Sequence, residues 1–329
     1  MKYLFYLVVA TLLFSCSGKS RYGVDGVEDV TIKIDRYDRT LKDYVDVNSY
    51  SSWTSLSTNY SDATRLLIEE VLSIGYIEDA DISTKLRDFY LDPVSRKLMD
   101  DASRKFVNMS RYEESLSQAF TAMKGYVPSI RIPHVYTQIS GLNQSIVVCD
   151  TLLGISLDKY MGVNYDLYKT YFYNYQIRSF APERMVPDCV YYYLCANYPL
   201  PERKDKFYQV MLYEGKMHWI TSHIVQTTNF EKAVGYSETN LKWLSKNTDE
   251  VWGKIQTLLY SDDPTTIRNY MEPAPCNADF GEGSPNMLGV WFGIQIIDAY
   301  MNNHPDVTIG DLLRENDYGK ILRETGSDF

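Results

Sequence analysis

Four histidines, His134, His218, His223 and His304, set the first limit on the chemistry available to this chain. A helical H-E-x-x-H motif puts two imidazoles on one face, one turn apart, with the glutamate beside them as base; no such run occurs. The nearest arrangement is Tyr213-Glu214-Gly215-Lys216-Met217-His218, in which Glu214 and His218 share a helical face and His223 lies beyond them. Two ligands on one helix fall short of a catalytic metal site, which takes three protein ligands and an open position. Nucleophilic chemistry is equally poorly provided: there is no G-x-S-x-G elbow, and neither Cys189 nor Cys195 has a base partner evident in the sequence. Asp150, Asp158, Asp188 and Glu214 are accounted for as solvated or capping acids. Gly281-Glu282-Gly283 reads as a turn, because no strand leads into it and no Gly-Lys-Ser/Thr accompanies it. These residues predict no catalytic group, no metal and no cofactor.

Cys16 is different, because its surroundings specify a modification. Residues 1–16, MKYLFYLVVATLLFSC, have a cationic start at Lys2, an apolar run from Leu4 to Phe14, and a small residue before cysteine. That is the layout of a bacterial lipoprotein signal, and the apolar run is shorter than the roughly 20 residues that span a bilayer. The expectation is a signal peptide over 1–15, a lipidated Cys16 with a short tether over 16–29, and one domain over 30–329. Acyl chains on Cys16 would make the membrane a permanent partner, at about 0.8 kcal/mol per buried methylene. No acidic cluster follows Cys16, which favours an outer-membrane lipoprotein facing the periplasm.

The elements that must position everything else follow from composition and periodicity. With 45% hydrophobic and 23% charged residues, the chain has the make-up of a globular protein able to build a large core. Its net charge of −10, without a basic stretch, argues against nucleic acid as a partner. Cys149, Cys189, Cys195 and Cys276 are irregularly spaced and read as buried free thiols. The 29 tyrosines suit half-wet surfaces and grooves, though compositional habit explains them as well. Alternation predicts a strand over 30–37, and 3.6-residue spacing predicts helices over 62–74, 82–99 and 113–124. Three short strands, over 134–140, 145–149 and 151–157, form a small central sheet. Helices then return over 188–198, with Pro187 in the first turn, and over 205–226. A further amphipathic helix begins at Leu288, with Ser284-Pro285 at its start. The fold class is therefore α+β, mainly helical, with a helical N-terminal part and a small central sheet.

The ordered blocks resemble the GldB family, the gliding-motility-associated lipoproteins of the Bacteroidetes. The resemblance runs from the lipoprotein signal through Ile32-Lys33-Ile34-Asp35-Arg36-Tyr37-Asp38, Ile155-Ser156-Leu157-Asp158-Lys159-Tyr160-Met161-Gly162 and Tyr213-Glu214-Gly215-Lys216. It continues through Tyr236-Ser237, Asn247-Thr248-Asp249-Glu250-Val251-Trp252, Pro273-Ala274-Pro275 and Ser284-Pro285-Asn286-Met287-Leu288-Gly289-Val290-Trp291-Phe292-Gly293. That family is in turn similar to predicted zinc peptidases, whose H-E-x-x-H helix is followed by a Glu-Gly helix supplying the third ligand, and later by a Gly-aromatic helix. The resemblance implies a zincin-like domain in which Glu214-Gly215 is retained and Asp188-Cys189-Val190-Tyr191-Tyr192 stands where the histidine motif would be.

Without imidazoles the scaffold loses its reaction. The expectation is a lipid-anchored envelope protein with a degenerate peptidase-like fold, binding a polypeptide or other envelope component in a groove marked by Asp188, Cys189, Tyr191, Tyr192, Glu214 and His218. One alternative is an active metal-dependent hydrolase using Glu214 and His218 with Asp188 or Cys189. The other is a structural lipoprotein docking an outer-membrane complex.

Overall fold

The computed structural model describes residues 26–201, 206–226 and 234–325. The expected signal peptide over 1–15, Cys16 and the first part of the expected tether lie outside these residues. The described chain begins extended, and only Ile34–Asp35 (β1) pairs in the sheet. The strand expected over 30–37 is thus much shorter, for a physical reason. The amides of Val30, Ile32 and Ile34 donate to Thr121 Oγ1 (2.9 Å), Ser117 Oγ (2.9 Å) and Glu113 Oε1 (3.0 Å), side chains on one stripe of a helix. Two extended residues advance about 6.6 Å and four helical residues about 6 Å, so an extended segment can lie along a helix in register. The alternation was real, but a helix meets most of it.

The N-terminal part is helical: α1 (Tyr37–Val47), α2 (Tyr50–Thr58), α3 (Ser61–Leu66), α4 (Ile82–Leu91), α5 (Pro93–Lys105) and α6 (Ser110–Tyr126). The single helix expected over 82–99 is broken at Pro93, where Asp92 leaves the helical region and its carboxylate accepts from the amides of Val94 and Ser95 as the next cap. The helix expected over 62–74 passes from α3 into a π turn, Leu67–Val71, and stops at Ser73, whose φ is 52°.

The central strands are β2 (His134–Gln138), β3 (Ile146–Cys149) and β4 (Leu152–Ser156), in sheet order β1-β2-β4-β3. β1, β2 and β4 run parallel, with His134 opposite Leu152, while β3 is the antiparallel edge, with Val147 opposite Gly154. Short helices α7 (Asp166–Tyr171) and α8 (Asn174–Ile177) lead to the long pair α9 (Met185–Asn197) and α10 (Phe207–Ile224). After these come α11 (Glu238–Leu258), α12 (Pro264–Met271), α13 (Leu288–Asn303), α14 (Ile309–Arg314) and α15 (Tyr318–Thr325). The molecule is mainly helical with a four-stranded mixed sheet, an α+β arrangement. One cluster of buried apolar side chains extends from Ile32 to Leu322.

α10 and α13 form the tightest crossing. A Cβ on Gly215 would stand 2.2 Å from the carbonyl carbon of Gly293, and one on Gly293 would stand 2.1 Å from the Met211 oxygen. Backbones meet there with no room for any side chain. None of the four cysteines is disulfide-bonded, but only Cys189 is fully buried and Cys149 is exposed, which corrects the expectation of four buried thiols.

Candidate functional site

α9 packs against β3 and β4 on one side and α10 on the other. Its sequence divides it accordingly. Cys189, Val190, Tyr193 and Leu194 are fully buried core residues, while Asp188, Tyr191, Tyr192 and Cys195 recur at i, i+3, i+4 and i+7 on another face. From α10 come Glu214 and His218, one turn apart, with Glu214 fixed beside the glycine crossing.

The Tyr191 hydroxyl donates to Glu214 Oε2 at 2.5 Å, and the Tyr191 ring stacks on His218 at 4.4 Å and 14°. His218 Nε2 lies 4.0 Å from Glu214 Oε2, too far for a hydrogen bond. Burial, helped by the Arg184 charge, pushes His218 down to about 3, so its imidazole is neutral. Burial pushes Glu214 up from the usual carboxylate range, against the Tyr191 hydrogen bond. Its side chain still keeps 26% of its surface open.

Asp188 accepts from Arg184 Nη2 at 2.7 Å and from the Tyr160 hydroxyl at 3.0 Å. Burial raises its pKa and the Arg184 guanidinium opposes the rise. Tyr192 is exposed, and burial of its hydroxyl beside Asp188 raises its pKa to about 12. The structure therefore brings Asp188, Tyr191, Tyr192, Glu214 and His218 together, and it turns Cys189 into the core. Burial holds the Cys189 thiol well above its ordinary pKa and raises Cys195 to about 11, so neither is a thiolate near neutrality. Among the described residues no three His, Cys, Asp or Glu side chains are grouped to hold a metal ion.

Arg184 and Tyr192 also line a half-open cleft of about 870 Å³, walled by the 172–180 segment, the 272–287 loop and the approach to β3. Lys159 reaches its floor. Its ammonium donates to the Leu142 carbonyl at 3.2 Å and sits over the rings of Phe180 (3.9 Å) and Phe172 (4.4 Å). Burial pulls Lys159 down to about 8. Asn143 and Ser145 line the same cleft where β3 begins. Because the Ser156 amide donates to the Ser145 carbonyl (3.0 Å), Ser145, Val147 and Cys149 face β4, and Ile146 and Val148 turn their peptide groups to the outer edge. Among the described residues none bonds to that edge.

Sequence reasoning missed Arg184, Tyr160 and Lys159. Lys159-Tyr160 lies inside the quoted Ile155–Gly162 block, and Arg184 stands one turn before Asp188, so an i, i+4 ion-pair search would have found it.

The sequence model of the family described as gliding motility protein GldB matches residues 19–327. No curated protein and no solved structure matches the chain. The chain belongs to the GldB family, whose members are gliding-motility-associated lipoproteins of the cell envelope.

Proposed function

We propose that this GldB-family protein is an outer-membrane lipoprotein, anchored through Cys16 and facing the periplasm, with a tether over 16–29 and a single domain over 30–329. On this reading the domain is a degenerate zincin-like scaffold that binds a polypeptide segment of an envelope component and does not cleave it. The observation that carries the proposal is α9 lying between an antiparallel edge strand and α10, with Asp188, Tyr192 and Glu214 gathered between the two helices. A zinc peptidase would hold two histidines and a glutamate in such an arrangement. Here Asp188 is tied to Arg184 and Tyr160, Glu214 is tied to Tyr191, and Tyr192 opens into the cleft. The open β3 edge supports a polypeptide as ligand, because an extended chain supplies a matching row of peptide groups.

Two measurements test this. Protein purified without chelator should carry no stoichiometric zinc, and a photo-cross-linking residue in place of Tyr192 should capture a defined envelope polypeptide in intact cells. Stoichiometric zinc that disappears in Glu214→Ala would overturn the non-catalytic half. Recovery of the uncross-linked monomer alone would overturn the binding half.

A further inference from the structure

The described cleft lining runs against the net charge of the chain. The chain is acidic, with 43 Asp and Glu against 33 Lys and Arg. The described cleft lining contains Lys159, Arg178 and Arg184 but a single carboxylate, Glu272. Two of the cations have fewer hydrogen-bond acceptors than donors. Arg184 gives Nη2 to Asp188, while its Nε and Nη1 are buried with no hydrogen-bond partner among the described residues. Buried polar groups almost always find partners, and a guanidinium left short of acceptors is costly. Lys159 is only 5% exposed, and among the described residues the one acceptor its ammonium meets is the Leu142 carbonyl. Its neighbour Asp158 does not pair with it, because the Asp158 oxygens accept from the amides of Ser140 (2.8 Å) and Leu142 (2.6 Å). Two phenylalanine rings hold the ammonium in place by cation–π contact, with the Asp158 charge nearby but not bonded to it.

We propose that Arg184 and Lys159 form a carboxylate receptor, so that the polypeptide taken into this cleft is one presenting an aspartate or glutamate side chain between them. The inference rests on the polypeptide reading above and specifies its ligand. The Arg184 side chain keeps 19% of its surface open in the cleft lining, and a guanidinium fork matches a carboxylate and gives a charge-assisted bond roughly twice as strong as a neutral one. Arg178, exposed at the cleft rim, would steer the approach of an acidic segment.

The test is selection from a random-sequence peptide display library on the purified full-length protein, repeated with Arg184→Gln, Lys159→Met and Arg178→Gln. Thermal melting would show that each variant is folded, and the exposed Arg178 supplies a substitution with no packing to disturb. The proposal expects Asp or Glu enriched at least tenfold at one register position with the wild type. That preference should flatten to below threefold in Arg184→Gln and Lys159→Met, and selection with Arg178→Gln should be less sensitive to salt. Peptides enriched without an acidic position would overturn the proposal while leaving the polypeptide reading intact, as would an acidic preference that survives both cleft variants. Enrichment of no peptide would overturn both readings. If polygalacturonate were then retained by the wild type and not by Arg184→Gln, the cleft would be an acidic-glycan site instead.

Discussion

His218 shows how a site residue can be read through stability. Its imidazole stacks on Tyr191 between Glu214 and the Arg184 charge, and burial with that charge drops it from 6.5 to about 3. Between those two pH values the unfolded chain binds a proton that the folded chain refuses, so stability falls as pH falls. The contribution is complete above pH 6.5 and is lost on the way down to about 3. Glu214, Asp158 and Asp188, all raised by burial, act with the opposite sign: what they contribute is present below the ordinary carboxylate range and is lost as pH rises through their folded pKa values. His218→Phe keeps the stacking surface and removes the titrating ring. Urea unfolding at pH 8 and pH 5 should then show the wild type losing about 2 kcal/mol more than the variant on acidification. Equal losses would mean that water reaches the imidazole and that His218 is less buried than described.

Among the elements, the crossing of α10 and α13 gives the Glu-Gly and Gly-Val-Trp-Phe-Gly blocks of this sequence a physical reason: Gly215 and Gly293 are a backbone contact, and Glu214 is placed by it. Gly215→Ala should destabilise the protein by about 3 kcal/mol, the upper range for overpacking, as read from urea denaturation. Gly253→Ala, in the interior of α11 where a Cβ meets nothing within 4 Å, should instead stabilise by about 1 kcal/mol. If the two variants behave alike, the crossing is looser than described. The helices over 205–226 and from Leu288 were legible because their apolar residues recur at helical spacing, and the central strands because β-branched runs end at turn residues; the position 205 end of the first lies outside the described residues. β1 was overextended because periodicity reports a buried face and not the partner that buries it. Pro93 should have been read as a boundary, since the residue before proline avoids the helical region. Glu214 and His218 could be placed together from their spacing, but Tyr191 could be set beside them from sequence only through resemblance. The Arg184–Asp188 pair was open to an i, i+4 search, but its weight needed the geometry, because an arginine one turn from an aspartate looks like any surface pair until its buried nitrogens, unpartnered among the described residues, are seen.

At the scale of the whole molecule, the question is what could hold this body to a membrane. Among the described residues no helix is long and apolar enough to cross one. The body is acidic, which anionic lipid surfaces repel. Attachment by the proposed route therefore depends on Cys16. One acyl chain gives only marginal, reversible binding, whereas several add about 0.8 kcal/mol per buried methylene and hold permanently. The folded body should not depend on that anchor, because its first described contacts, from Val30, Ile32 and Ile34 to α6, begin downstream of the tether. Replacing residues 1–16 with an ordinary cleavable export signal should release the protein into the soluble periplasmic fraction and abolish palmitate labelling. The melting temperature should stay within a degree or two, since no core residue is touched. Continued recovery of the replaced form with membranes after an alkaline wash would refute the lipid anchor as the sole attachment, and would place the membrane contact on the folded surface itself.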